Sequence, residues 1–245
     1  VAKLEANAER RLAPEADEAL WVLDKGRMEA VLAEADRLRF VNEHVERIRE
    51  LLRLPAEKLV ELQLKKAVEL NDRVRVINRE LTLRGLYLEK NAFLFAPEHF
   101  PKLRTPHDFA CAKMAALLSR SLRQELAAGM LRHASKPLHT SLTELEPALA
   151  KEATALFKCL LAYAGERPAP FPQAMALQVL QAGVDSPELV PEIYLQILKQ
   201  LQDNRGRVGC RPYWELLTLA LMSFAPGSGV DDIVHVFCLA HAGPA

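Results

Sequence analysis

The sequence contains little glycine and carries no net charge. Ten glycines in 245 residues are few for a chain built from strands and tight turns, whereas Ala, Leu, Glu, Lys and Arg, which favour helix, are abundant. Basic and acidic residues number 32 each, so the chain as a whole does not attract nucleic acid or a membrane surface. The composition therefore predicts an all-α protein that binds any charged partner through a local patch.

Motifs for catalysis and metal binding are also missing. The four cysteines form no CxxC pair and the seven histidines form no HExxH motif, so we expect no metal site. No GxSxG, Walker or GxGxxG motif occurs. Aromatic residues make up only 6% of the chain, which argues against a stacking platform for single-stranded nucleic acid. We therefore predict a protein that is not an enzyme, needs no cofactor and keeps its cysteines reduced.

The chain also lacks long apolar runs. None approaches the roughly 18 residues needed to span a bilayer, and the sequence opens at Val1 without an initiator Met or a secretory segment. We expect a part of a longer chain or a larger complex, located in the cytoplasm.

Apolar residues recur at intervals of three and four along most of the sequence, which predicts amphipathic helices. Prolines followed by acidic residues predict helix starts at Pro14 and Pro55, and Asn71-Asp72 is the expected interruption of the long helix that follows Pro55. The later helices are expected near residues 109–131 (with breaks near Ser119 or Gly129), 147–164, 173–181, 186–202, 214–224 and 231–239.

An aromatic, proline-containing loop at residues 91–106 separates a charge-dense first part from a more apolar second part. We place the domain boundary just after it. Residues 1–110 are predicted to be an N-terminal helical region of unknown family, and residues 111–245 a compact multi-helix bundle.

The second part resembles a known family, the myosin tail homology 4 (MyTH4) domain. The resemblance is carried by Glu192-Ile193-Tyr194, Gln196, Lys199-Gln200 and Asn204, and by the sequence Trp214-Glu215-Leu216-Leu217 that leads to Phe224 and Pro226. Tyr213 departs from the family pattern, which often has glycine before the tryptophan. The resemblance covers roughly residues 115 to 242. It implies an all-helical domain of cytoskeletal proteins that binds cargo, adaptors or, in some members, microtubules.

Two interpretations fit the polar stripe Glu192, Gln196 and Gln200, which lie four residues apart on one helix face. It is either a buried polar network that fixes helix register or a strip that binds a partner. The flanking Ile193 and Ile197 favour the buried network.

Four basic residues surround the turn after this helix: Lys199, Arg205, Arg207 and Arg211, with only Asp203 opposing them. Such a patch can recruit the acidic tails of tubulin in a salt-sensitive way, or it can be a solvated loop. A second basic stretch, between Lys65 and Arg84, is interleaved with acidic residues and is typical of a solvated helix face.

Two functional hypotheses follow. In the first, the chain is a non-catalytic cytoskeletal module that binds microtubules or an adaptor protein through Lys199, Arg205, Arg207 and Arg211. In the second, it is a permanent structural component of a microtubule-based assembly such as the axoneme of a cilium, with no regulated ligand.

Overall fold

The protein is represented by a computed structural model that describes residues 2–112, 119–204, 207–227 and 229–241. Side chains are described from residue 9 onward in the first helix and from residue 209 onward after residues 205–206. The chain divides into two compact units, Val1–Lys90 and Asn91–Ala245. The aromatic loop 91–106 thus begins the second unit, and a family boundary at residue 110 stays a prediction.

The first unit is helical, as predicted. Its helices are α1 (Ala2–Val22), α2 (Lys25–Leu38), α3 (Glu43–Leu52), α4 (Ala56–Glu69) and α5 (Arg73–Lys90). Asp24 and Asn42 cap α2 and α3, because each side chain accepts a hydrogen bond from the backbone amide three residues later. The interruption expected at Asn71-Asp72 is confirmed, with Asn71 at a left-handed φ of 52° between α4 and α5.

Pro14 is a difference from the prediction. It lies inside α1 instead of starting a helix. A proline in a helix interior removes one backbone hydrogen bond, which normally bends or breaks the helix. Leu12 and Ala16 on either side of it are fully buried, so packing of the unit's core holds the helix together across the proline.

The second unit begins with two short 3-10 turns, Ala92–Phe95 and Pro97–His99. Seven helices follow in the described residues: α6 (Pro106–Cys111), α7 (Arg120–Ala128), α8 (Pro147–Tyr163), α9 (Pro172–Asp185), α10 (Val190–Leu201, after a 3-10 turn at Pro187–Leu189), α11 (Arg207–Ser223) and α12 (Asp231–His241). The predicted breaks at Ser119 and Gly129 both occur, since Ser119 caps the start of α7 and Gly129 its end. The predicted all-helical bundle is therefore confirmed.

Helix α10 is the centre of this bundle. Every residue of it except Pro191 is buried, and it packs against α8, α9, α11 and α12. A helix that is buried on all sides must pair its polar side chains internally, because unpaired polar groups in an apolar core are costly.

Outside the helices, the described part of the chain contains one isolated antiparallel bridge, between Leu103 and Thr143. The amide of Arg104 donates to the carbonyl of Leu142 at 2.8 Å, and the amide of Glu144 donates to the carbonyl of Lys102 at 2.9 Å. These bonds fasten the loop before α6 to the segment 141–144.

Helix α11 starts earlier than expected. The sequence predicts it from residue 214, but the helix begins at Arg207 and includes Pro212. The neighbouring Tyr213 is fully buried, and packing there again outweighs the proline. Over the described residues, no helix combines the length and the apolarity needed to cross a bilayer.

Candidate functional site

The polar stripe of α10 begins with Glu192, whose carboxylate binds the segment 141–143. Its Oε1 accepts the backbone amide of Leu142 at 2.8 Å, and its Oε2 accepts the amide and the hydroxyl of Thr143 at 2.7 and 2.6 Å. Burial raises the pKa of the Glu192 carboxyl, while the hydrogen bonds from Thr143, Leu142 and Gln196 act in the opposite direction. Glu192 thus ties an irregular segment to the central helix.

Gln196 extends the network by one helical turn. Its amide nitrogen donates to the carbonyl of Ala153 on α8 at 2.9 Å and to Glu192 Oε1 at 2.8 Å. The side chain therefore links α8, α10 and the segment 141–143 inside the core.

Gln200 occupies the next turn, and its side-chain amide forms two hydrogen bonds with the backbone of Ala134. Its oxygen accepts the Ala134 amide and its nitrogen donates to the Ala134 carbonyl, each at 3.1 Å. The same nitrogen donates to the hydroxyl of Tyr213 at 3.0 Å, and this hydroxyl donates to Glu166 Oε1 at 3.0 Å. His133 meets the same Glu166 oxygen at 2.8 Å. Burial raises the pKa of the Tyr213 hydroxyl, which keeps it protonated and able to donate.

All three stripe residues are fully buried, so the interpretation as a buried polar network is confirmed. The stripe connects α10 to other parts of the bundle through buried hydrogen bonds. The sequence did not reveal its backbone partners, because carbonyl and amide groups of irregular segments leave no pattern in residue type.

Lys199 differs from its expected position in the basic patch. Its side chain is 2% exposed, and its ammonium donates to the backbone carbonyls of Gly129 and Arg132. Burial lowers the pKa of Lys199 to about 8. Lys199 is therefore not part of a surface patch, and the prediction was wrong for this residue. Its hydrogen bonds hold the end of α7 and the segment 129–132 against α10.

The remaining basic residues follow α10 in the sequence, and two of them, Arg207 and Arg211, lie at the start of α11. Arg211 is exposed and its Nε lies 2.9 Å from Glu215 Oε1, one helical turn away. Arg205 lies outside the described residues, and Arg207 is described only as the first residue of α11. On the other side of the turn, Asp203 pairs with Arg132 at 3.3 Å.

The second basic stretch forms short-range pairs within the first unit. Lys66 lies 3.4 Å from Glu69, and Arg75 lies 3.1 Å from Asp72. Exposed pairs of this kind contribute little to stability, and they are typical of the solvated face that the sequence predicts.

The described residues contain no cluster of three or more His, Cys, Asp or Glu side chains placed to hold a metal ion. The four cysteines are free thiols, and three of them, Cys159, Cys210 and Cys238, are partly buried against the hydrophobic core of the second unit. Burial raises the pKa of Cys159 and Cys238, which lowers their reactivity as nucleophiles.

Comparison with known proteins identifies the C-terminal part of the chain. Residues 176–243 match the model of the MyTH4 domain, and this range includes α10, Arg205 and α11. The resemblance to the MyTH4 domain family is therefore confirmed over residues 176–243. The relatives that match this chain include myosins.

The chain is 32% identical over 226 residues to the high molecular weight form of myosin-1 from Acanthamoeba castellanii, an alignment that covers 92% of this chain and 14% of that protein. It is 30% identical over 143 residues to myosin-VIIa from Drosophila melanogaster, covering 56% of this chain and 6% of that one. The chain thus spans a small part of the length of these relatives.

Among solved structures, the MyTH4-FERM MF2 domain of Dictyostelium discoideum myosin VII is similar to it with a TM-score of 0.41 and 20% identity, over 55% of this chain and 32% of that one.

Proposed function

We propose that the C-terminal unit binds microtubules or a cytoskeletal adaptor protein, and that the contact is made by the basic turn, defined as Arg205, Arg207 and Arg211. The observation that carries this proposal is the match of residues 176–243 to the MyTH4 domain, which spans all three arginines. The chain then acts as a non-catalytic interaction module located at the cytoskeleton.

Burial of the polar stripe supports the choice of the turn. Since Glu192, Gln196, Lys199 and Gln200 are used inside the bundle, they are not free to bind a partner. Arg211, by contrast, has an exposed side chain and only an exposed partner, Glu215. An exposed ion pair contributes about 1 kcal/mol or less, so an acidic partner can displace Glu215 at small cost.

Charge complementarity supports an acidic partner surface. Arginine forms paired hydrogen bonds with carboxylates, and three arginines within seven residues of the sequence favour a local positive potential in a chain without net charge. Tubulin tails are acidic, and their attraction to such a turn falls as salt increases.

Co-sedimentation with microtubules tests the proposal. Reversal of the three arginines to glutamate should reduce the bound fraction several-fold at low salt. The matched control is reversal of three exposed basic residues elsewhere in the same unit, Lys151, Lys158 and Arg167, which changes the net charge by the same amount. If the folded triple variant binds microtubules as well as the wild type does, the basic turn is not the microtubule contact.

High-salt extraction separates this function from a permanent structural role. A regulated binder is released from microtubules by salt as a soluble protein, because screening weakens exposed charge contacts. A component built into an axoneme stays in the pellet with the assembly.

A further inference from the structure

Helix α9 has an apolar side that faces solvent as well as one that faces the core. Its buried residues are Ala176, Val179, Ala182 and Gly183. On the opposite side of the helix lies the outer stripe, which consists of the exposed residues Ala174, Leu177, Gln181 and Val184. Leu177 is 63% and Val184 55% exposed, and Phe171, just before the helix, is 70% exposed. A helix on the surface of a globular unit normally turns a polar face to water, so the outer stripe is unusual.

The outer stripe is also free of charge. From Pro168 to Val184 the sequence contains no Asp, Glu, Lys or Arg, although these residues make up 26% of the whole chain. The polar member of the stripe, Gln181, donates from its side-chain amide to Asp185 at 2.9 Å and is thus bonded within its own helix. A neutral, apolar surface selects neither an acidic nor a basic partner, but it is compatible with a second copy of itself.

Charges of opposite sign lie at the two ends of the outer stripe. The exposed Arg167 precedes it, and the exposed Asp185 and Glu188 follow it. Within the described part of the chain, no ion pair joins Arg167 or Glu188 to another residue. Glu166 is largely buried, and its carboxylate accepts the Tyr213 hydroxyl. Antiparallel pairing of two copies therefore places the basic end of each stripe against the acidic end of the other, whereas parallel pairing places like charges together.

The spacing of the outer stripe is symmetric about Val179. Ala174 and Val184 each lie five residues from it, and Leu177 and Gln181 each lie two residues from it. An antiparallel pair with its two-fold axis at this point sets Ala174 of one copy opposite Val184 of the other. A small residue opposite a larger one allows two helices to approach closely, and a two-fold axis requires such self-complementarity.

The size of this surface indicates a weak pair. With its neighbours, the outer stripe offers about 500 Å² per copy, which is less than the roughly 800 Å² per partner of stable complexes. We therefore expect a dissociation constant between about 0.1 and 1 mM. A pair of this strength forms where copies of the chain are concentrated, as when two of them bind neighbouring positions on one partner.

We infer that the chain self-associates through α9, whose outer stripes pack antiparallel about a two-fold axis, with Arg167 of each copy against Asp185 and Glu188 of the other. This pairing goes beyond the proposed function, because no residue of the basic turn takes part in it. It gives two chains on one partner a direct contact and thereby raises their joint affinity for that partner.

Sedimentation equilibrium of the whole chain tests the inference. Between about 10 μM and 1 mM, the average mass of the wild type should rise from that of the monomer toward that of the dimer. Leu177→Glu places a charge at the centre of the contact and should weaken self-association at least tenfold. Val184→Glu is a second variant on the same stripe and should have the same effect. The matched control is Leu239→Glu on α12, a leucine that is 43% exposed, and it should associate as the wild type does.

A charge swap tests the antiparallel direction. Arg167→Glu should weaken self-association several-fold, because each end of the contact then carries only acidic residues. Adding Asp185→Lys and Glu188→Lys to the same chain exchanges the two signs and should restore the association. Every variant is first compared with the wild type in thermal unfolding, so that a loss of association is not confused with a loss of structure.

The inference is overturned if the wild type remains a monomer up to about 1 mM, if the glutamate variants of the outer stripe associate as the wild type does, or if the charge swap fails to restore association. Its failure is distinguishable from failure of the proposed function, because co-sedimentation at micromolar concentration uses the monomer. A monomeric chain that pellets with microtubules overturns the pairing alone, and a self-associating chain that does not pellet overturns the microtubule contact alone.

Discussion

Glu192 and Thr143 form a double contact between the central helix and an irregular segment: one carboxylate oxygen accepts both the amide and the hydroxyl of Thr143, at 2.7 and 2.6 Å. Leu142 and Gln196 donate to the other oxygen, so the carboxylate is the acceptor in all four of these hydrogen bonds. The contact explains why an acidic residue can stand in the core of the bundle.

Glu192→Gln should therefore destabilise the protein by about 3 kcal/mol, although the side chains have nearly the same shape. The NH2 group of the glutamine side chain can only donate, so it would face the existing N–H and O–H donors. At least one of those donors would lose its acceptor. The free energy of unfolding, measured by denaturant titration, checks this. Glu188→Gln, an exposed position one turn earlier, is the control and should change stability by less than about 0.5 kcal/mol. A stable Glu192→Gln protein would show that the network is unimportant.

The burial of Lys199 predicts a pH dependence. The folded protein releases this proton at a pKa of about 8, whereas the unfolded chain holds it up to the ordinary value of 10.5. Between these values the unfolded state binds more protons, so this group makes the protein more stable as the pH rises. The gain is about 1 kcal/mol between pH 8 and 9 and about 3 kcal/mol over the whole interval.

Comparison with Lys199→Met isolates the effect, because other titrating groups are common to both proteins. The difference in unfolding free energy between wild type and variant should shift in favour of the wild type by about 1 kcal/mol from pH 8 to 9. A difference that stays constant would contradict the lowered pKa.

Gly183 on α9 predicts a steric effect. A Cβ atom at this position would lie 2.3 Å from Cζ of Phe224. The ring has little freedom to withdraw, since the Phe224 carbonyl accepts the Tyr194 hydroxyl at 2.7 Å and the two rings pack edge to face at 5.5 Å. Gly183→Ala should thus lower stability by about 1 to 3 kcal/mol.

Gly85 provides the matched control for this prediction. It also lies in a helix, α5, but a Cβ there meets no atom within 4 Å. Gly85→Ala should raise stability by up to about 1 kcal/mol, because alanine favours helix. Thermal unfolding of both variants checks the pair of predictions, and equal shifts in the same direction would contradict the packing at Phe224.

The sequence predicted the helices of the second unit well, because their boundaries depend on local signals. Proline at the start of α8, serine before α7 and glycine after it act within one turn of the chain. The identity of the polar stripe as a buried network could also be predicted, since Ile193 and Ile197 flank it closely.

Features that depend on tertiary packing could not be predicted in the same way. Pro14 was expected to start a helix and Pro212 to precede one, but both lie inside helices whose buried neighbours keep them continuous. Lys199 was expected on the surface, as lysine usually is, and only the fold reveals the two backbone carbonyls that accept its ammonium.

The affinity of the chain for microtubules with and without the acidic tails of tubulin tests the central claim most directly. If the basic turn binds these tails, the dissociation constant at low salt should increase several-fold when the tails are removed by limited proteolysis. Reversal of Arg205, Arg207 and Arg211 should then have little further effect. Equal affinity for intact and tail-free microtubules, or no binding to either, would contradict the account.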